Sequence, residues 1–362
     1  MASNANHQLH FLLLPFLAQG HLIPMIDIAR LLAQHGAIVT VVTTPVNAAR
    51  VRTVLFRAIQ SGLQIRLVEI QLPCQEAGLP DGCENFDLIP SFDLLFNFFK
   101  SIEMLQRPFE HLFKLQTPKP SCIISDMCYT WSVESANKLN VPRITFHGFG
   151  CFCLLCLHNT RISKVYENVT SDSEYFTVPD LPDEIALTRV QLPISIRDGM
   201  KDFGDRIIES DMKSYGVIVN TFEELESAYV KEYKKVRGGK VWCVGPVSFC
   251  NKESIDKAER DQFCNEKLIV QILRIGVRVG VEIPLIFGEE EKIGILVKRE
   301  RVEMAINKLM DEGEERDERR RRAKEFGELA KRAIGKGGSS YLNMKNLIQD
   351  IIQQANCANQ LT

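Results

Sequence analysis

Between Leu9 and Gly148, short apolar runs rich in β-branched residues take turns with longer amphipathic stretches, and this alternation limits the fold more than any other feature. The runs are "LHFLLLPF" (Leu9 to Phe16), "AIVTVVTT" (Ala37 to Thr44), "IRLVEIQL" (Ile65 to Leu72), "SCIISDM" (Ser121 to Met127) and "PRITFHG" (Pro142 to Gly148). Each has the length and residue types of a strand. The intervening stretches, Ile23 to Gln34, Val46 to Ala58, Phe92 to Leu115 and Thr130 to Asn140, read as helices. Such alternation gives an α/β fold, a parallel sheet covered on both faces. Ligands of these sheets sit beyond the carboxyl ends of the strands.

Further on, Asn168 to Asp198 turns to Pro, Asp and Ser and reads as a surface connection with little regular structure. "YGVIVNTFEELE" (Tyr215 to Glu226) reads as strand, turn and helix, and "GGKVWCVGPV" (Gly238 to Val247) as a further strand. A polar segment, "SFCNKESIDKAER", follows as a linker. Beyond Asp261 an apolar helix is expected, then strands near Val277 to Val281 and Ile293 to Val297, then helices. One of these, "DEGEERDERRRRAKEFGELAKRAI", spaces Glu and Arg three and four apart, as a solvated helix does.

Length and charge narrow the function classes. A chain of 362 residues suggests two domains. A net charge of -2 gives no general pull toward nucleic acid or an anionic membrane. No apolar run approaches the roughly 18 residues of a membrane span, so no membrane insertion is expected. "HQLHFLLLPFLAQG" imitates a signal core, but no Lys or Arg precedes it and its pattern continues into a helix. The eleven cysteines show no framework spacing, and Cys151, Cys153 and Cys156 lie in one apolar run, which fits buried thiols in a reducing compartment. A cytoplasmic chain is therefore expected. Neither HExxH, GxxxxGK[ST], GxSxG nor a metal-spaced Cys/His cluster occurs, so no metal or cofactor is expected. The join at Ala18 to His21 lacks GxGxxG, which argues against a dinucleotide oxidoreductase.

Three polar residues, His21, Asp126 and His147, fall at or just past strand ends. Imidazole titrates near neutrality and suits a general base, although a histidine after a strand is often only a loop polar group. Asp126 closes an otherwise apolar strand. Its plain alternative is to cap the helix beginning near Thr130. If both side chains enter one crevice, the carboxylate fixes the imidazole tautomer and the pair can deprotonate a hydroxyl. Phe16, Phe92, Phe96, Phe146 and Phe149 are candidates to line an apolar pocket there, each equally readable as an ordinary core aromatic.

"PFLAQGHLIPMIDIARLLAQHG", "CIISDMCYTW", "ITFHGFG", "VNTFEELE" and "VWCVGPV", in this order and spacing, resemble the plant UDP-sugar-dependent glycosyltransferases of family 1. The likeness is to members that glucosylate small hydroxylated metabolites. It implies a GT-B architecture, here with a complete N-terminal Rossmann-like domain (1–240), a linker (241–260) and an incomplete C-terminal Rossmann-like domain with terminal helices (261–362). By this resemblance His21 is the catalytic base and Asp126 its partner. Gly20, His147, Phe149, Phe92 and Phe96 are the acceptor-side candidates, and Asp261 and Gln262 the donor-side ones. The implied reaction transfers a sugar, glucose above all, from a UDP-sugar to a terpenoid, steroid, cytokinin or phenolic hydroxyl, with inversion. No metal is implied, and a monomer is expected.

The sequence departs from the family at the donor signature. The Trp-Ala-Pro-Gln and His-Cys-Gly-Trp-Asn-Ser stretches are missing, and Asp261 and Gln262 match only the closing pair. Residues 251–362 number 112, mostly helix-like, and a βαβ unit takes about 30. A complete second Rossmann domain does not fit. The alternative is a catalytically inactive form that binds only the acceptor.

Overall fold

The computed structural model describes residues 8–193, 196, 200–250, 262–281 and 297–360. Its centre is a seven-stranded sheet in the order β3-β2-β1-β4-β5-β8-β9, parallel at every pairing. The strands are β1 (His10–Leu14), β2 (Ile38–Thr43), β3 (Ile65–Glu69), β4 (Cys122–Asp126), β5 (Arg143–His147), β8 (Gly216–Val219) and β9 (Val241–Cys243). β1, β2, β4 and β5 are buried at every position, as strands covered on both faces must be. The α/β class expected from the alternation is what forms.

Helices α1 (Gln19–Gln34) and α2 (Pro45–Gln60) cover one face, packing Met25, Ile28, Leu32, Val51 and Leu55 against β1 and β2. On the other face lie α3 (Cys74–Ala77), α4 (Leu95–Glu103), α5 (Gln106–Leu115) and α6 (Ser132–Leu139), with Phe98, Phe109 and Phe113 fully buried. The single helix expected from Phe92 to Leu115 is instead a 3-10 turn at Phe92–Leu94 followed by α4 and α5. Pro108 supplies the reason. It has no N–H for the carbonyl four residues back, so it is tolerated only in the first turn of a new helix.

Two further expectations are corrected. The stretch Asn168 to Asp198 contains an antiparallel hairpin, β6 (Tyr175–Val178) with β7 (Ile185–Thr188). Along β6, Phe176 and Val178 are buried while Tyr175 and Thr177 are exposed, a short period-two pattern that the surrounding Pro and Asp obscured. Val277 to Val281 forms no strand: Gly280 turns left-handed at φ 96°, and Arg278 donates to Glu266 and to the Val281 carbonyl. The strand expected near Ile293 lies outside the described residues except at its last position.

The remaining elements are α7 (Cys151–Ser163), α8 (Lys201–Met212), α9 (Ser227–Val236), α10 (Gln262–Lys267), α11 (Arg299–Met310), α12 (Glu314–Ile334) and α13 (Ser339–Gln360). α12 is largely solvated and laced by pairs such as Arg321 and Arg322 with Glu318, but its Ala330 and Ala333 pack against Phe222. α13 returns to the first sheet. Met344, Leu347 and Ile351 enter the core beside α1, Ser340 donates to the Gly245 carbonyl at 2.5 Å, and Lys240 pairs with Asp350 at 2.7 Å. Because β9 pairs with β8, the first unit runs past residue 240, and α13 is part of its core.

One buried acid gives a stability prediction. Asp27 on α1 is 3% exposed, and burial, only partly offset by Arg30 3.6 Å away, pushes its carboxyl up to about 6. The folded state therefore prefers the protonated acid. That contribution is complete below the ordinary value of 3.8 and is lost as pH rises through about 6. Asp27→Asn is expected to raise stability by up to about 2 kcal/mol at pH 8 and to change it little at pH 4, measured by urea unfolding at both pH values. Equal effects at both would contradict the assignment.

Candidate active site

The chain turns outward where strand order reverses. β1, β2 and β3 are laid down in one direction, and β4 then takes its place on the other side of β1, with Leu14 opposite Ser125. That switch point opens a crevice beyond the strand ends. Pro15 to Ala18 lead from β1 into α1, so Gly20 and His21 stand in the helix's first turn rather than in a loop. Asp126 is the last residue of β4.

His21 Nδ1 donates to Asp126 Oδ2 at 2.7 Å, and Asp126 Oδ1 accepts the Cys128 amide at 3.0 Å. Asp126 is fully buried, which by itself would push its carboxyl up. The His21 imidazole, the Cys128 amide and the more distant His147 outweigh burial and hold the carboxyl below its usual range. A carboxylate accepts only, so the imidazole proton lies on Nδ1 and Nε2 keeps its lone pair. Nε2 bonds to no group among the described residues. The Phe16 ring meets the imidazole edge-on at 5.2 Å between centroids. Asp126 does not cap α6, whose N-cap is Trp131 with no side-chain bond; one of its carboxylate oxygens closes the turn at Cys128 and the other serves His21.

A second polar cluster adjoins the first. His147 ends β5, is 4% exposed, and places Nε2 3.3 Å from Asp211 Oδ2 on α8, near enough for charge attraction but off the hydrogen-bond axis. Arg237 Nη1 lies 3.4 Å from the same carboxylate and Nη2 donates to the Asp211 carbonyl at 2.8 Å. Burial works to raise Asp211, but His147 and Arg237 hold it far below the ordinary carboxylate value. Beneath both clusters runs Arg143, at the start of β5. It donates to Ser125 at 2.9 Å, Ser214 at 2.5 Å and the Asp126 carbonyl at 3.2 Å. Burial pushes its guanidinium down to about 10 against the pull of Asp211 and Asp126, so it stays charged at neutral pH.

Glycine and glutamate set the loop after β5. A side chain at Gly148 would come within 3.9 Å of the Gly20 carbonyl, which puts the β5 loop against the start of α1. One at Gly150 would strike Glu226. That buried glutamate accepts the Phe152 amide at 2.5 Å and the Thr221 hydroxyl, anchoring the first turn of α7. Burial raises its carboxyl despite these bonds.

A cavity of about 180 Å³ opens beside this loop, its wall mostly apolar: His147, Phe149, Leu154, Ile207, Met212 and Tyr233 among others. Met127, the neighbour of Asp126, also lines it. Gly20, His21, Asp126, His147 and Phe149 are therefore gathered at one edge of the sheet. Phe96 lies elsewhere, 54% exposed over a groove with Phe99 and Phe203. Phe92, half-buried, packs into the core behind that groove, and Phe99 connects it to Phe16 at 6.1 Å. Phe146 belongs to the core under α1 and lines no site. Asp261 lies outside the described residues, and Gln262 opens α10. Among the described residues no cluster of metal-ligating side chains occurs, and no helix is long and apolar enough to cross a membrane.

Sequence reasoning missed Arg143, Asp211 and Arg237. The signal for the first was present, an arginine opening a strand buried at every position, which must find buried partners. Asp211 and Arg237 carried none, because their meeting depends on how α8 and α9 pack.

Residues 7–249 match the family described as glycosyltransferase, N-terminal domain. The chain is 41% identical to UDP-glycosyltransferase 73C25 of Barbarea vulgaris over 495 aligned positions, covering 99% of this chain and 100% of that protein. To UDP-glycosyltransferase 73C5 of Arabidopsis thaliana it is 39% identical over 481 positions, with 96% and 97% covered. The crystal structure of Glycyrrhiza uralensis UGT73P12 complexed with glycyrrhetinic acid 3-O-monoglucuronide superposes with a TM-score of 0.85 at 27% identity, over 98% of each chain. Medicago truncatula UGT71G1 complexed with UDP-glucose shares the fold, with a TM-score of 0.71 at 16% identity over 97% of this chain and 100% of that one. An alignment of 495 positions against 362 residues leaves at least 133 positions, the excess of one over the other, facing no residue here. With both chains covered end to end, that shortfall is internal. On sequence, fold and the coverage of its relatives alike, the chain belongs to the plant UDP-glycosyltransferases of family 1.

Proposed function

We propose that this chain transfers glucose from UDP-glucose to a hydroxyl of a small lipophilic plant metabolite, of the terpenoid, steroid, cytokinin or phenolic kind, as a cytoplasmic monomer. The observation that carries this reading is the 2.7 Å bond from His21 Nδ1 to Asp126 at the switch point of the sheet. His21 Nε2 takes the acceptor proton as the acceptor oxygen attacks the anomeric carbon. The bond from that carbon to the diphosphate oxygen breaks, UDP departs, and the configuration inverts. Asp126 holds the tautomer and stabilises the imidazolium that forms. The apolar cavity beside Phe149 holds the acceptor's ring system, and Gly20 marks where its hydroxyl passes. Phe92 and Phe96 belong to the outer edge of the acceptor surface, and Asp261 and Gln262 to the sugar side. The step draws on no metal or resident cofactor.

A second reading, acceptor binding without transfer, is favoured by one observation, the internal shortfall of at least 133 positions against a relative of known length. Calorimetric titration with UDP-glucose separates the two. The first reading predicts saturable binding and glucoside formation when an acceptor alcohol is added. Heat no greater than dilution, with acceptor binding retained, would leave only the second.

A further inference from the structure

The wall of the cavity beside the β5 loop is mostly apolar; His158 and Arg161 add polar groups to it, and at His147 and Asp211 the polar groups are incompletely bonded. His147 is 4% exposed and, among the described residues, neither ring nitrogen has a hydrogen-bond partner; Asp211, 8% exposed, has one oxygen, Oδ1, in the same condition. Both residues line the cavity. Leaving such groups unbonded is costly, so a partner is called for. With Asp211 3.3 Å from Nε2, the favoured tautomer carries its proton there and leaves Nδ1 as a bare acceptor. Nδ1 and Oδ1 therefore both seek a donor. A carbonyl or a carboxylate supplies none, and a carboxylate would also face Asp211.

We infer that His147 and Asp211 read a hydroxyl on the buried end of the acceptor, so that the cavity selects apolar ring systems bearing a hydrogen-bond donor remote from the reacting oxygen. This deepens the acceptor reading above and rests on it. His147 is here a specificity-determining residue, since the base bonded to Asp126 is His21.

The test uses two-ring probes of a size suited to a cavity of about 180 Å³. Calorimetric titrations compare 2-naphthol, which donates, with 2-methoxynaphthalene, which only accepts, and 2-methylnaphthalene, which does neither. The full chain is expected to bind 2-naphthol on the order of tenfold more tightly than either analogue. His147→Phe, close in volume, should bind all three alike, and His147→Gln, which keeps an amide acceptor, should restore part of the preference. The wild-type comparison stands even if a variant fails to fold. His21→Ala should keep the preference, because the hydroxyl is read elsewhere. Equal affinities in the wild-type chain would overturn the inference, as would a preference lost in His21→Ala and kept in His147→Phe, which leaves the acceptor reading intact. Failure of all three probes to bind would overturn both.

Discussion

His21→Ala is expected to lower glucoside formation from UDP-glucose and an acceptor alcohol by about 10²–10⁴-fold, the range that a positioned general base contributes. Acceptor affinity should change little, because the apolar cavity is lined by other residues. Truncation leaves Asp126 with the Cys128 amide as its remaining hydrogen-bond donor, so a stability control is needed. His21→Gln serves, since its amide can still donate toward the carboxylate while offering no base. Both variants should be equally slow, and the glutamine variant the more stable. The same pair predicts a pH effect. Asp126 is held below its ordinary value, so its contribution to stability is present above about pH 4 and lost as pH falls through the folded value. In His21→Ala that acid-side loss should shrink. Turnover within a factor of three of wild type in both variants would remove His21 from the chemistry.

The second large effect is on the fold. Arg143→Ala should destabilise the chain by about 3–5 kcal/mol, the cost of taking one member from a buried charge network. Arg143 is 2% exposed and bonds to Ser125, Ser210, Ser214 and the Asp126 carbonyl, and Asp211 and Asp126 both support its charge against burial. Urea unfolding monitored by circular dichroism measures it. Because the guanidinium ties β4, β5 and α8 together, the loss should also weaken 2-naphthol binding in whatever fraction remains folded. A loss under about 1 kcal/mol would mean that the network contributes little.

Much of this was legible in the sequence, for physical reasons. Strands covered on both faces must be apolar throughout, which is why β1, β2, β4 and β5 stood out with boundaries off by only a few residues. A polar residue that closes such a strand, or opens the helix after it, has little to do but face the crevice, so Asp126, His147 and His21 stood out in the sequence. What was hidden depends on contacts between elements distant in sequence. Arg237 reaches Asp211 across 26 residues, and α13 joins the core of the first sheet by packing its apolar side against β9. The hairpin β6–β7 was missed because four-residue strands give too few alternations to outweigh flanking Pro and Asp. The break between α4 and α5 had a signal, Pro108, that aromatic continuity overrode.

The pairing of an imidazole with a carboxylate at the head of the sheet can be examined without any donor. Long-range nitrogen–proton NMR on histidine-labelled chain, with the His21 resonances assigned by their disappearance in His21→Ala, reports which ring nitrogen carries the proton. The account predicts a proton on Nδ1, shifted far downfield by Asp126 and lost in Asp126→Ala, with Nε2 unprotonated in the neutral ring. A proton on Nε2, or a ring whose signals are indifferent to Asp126, would contradict it.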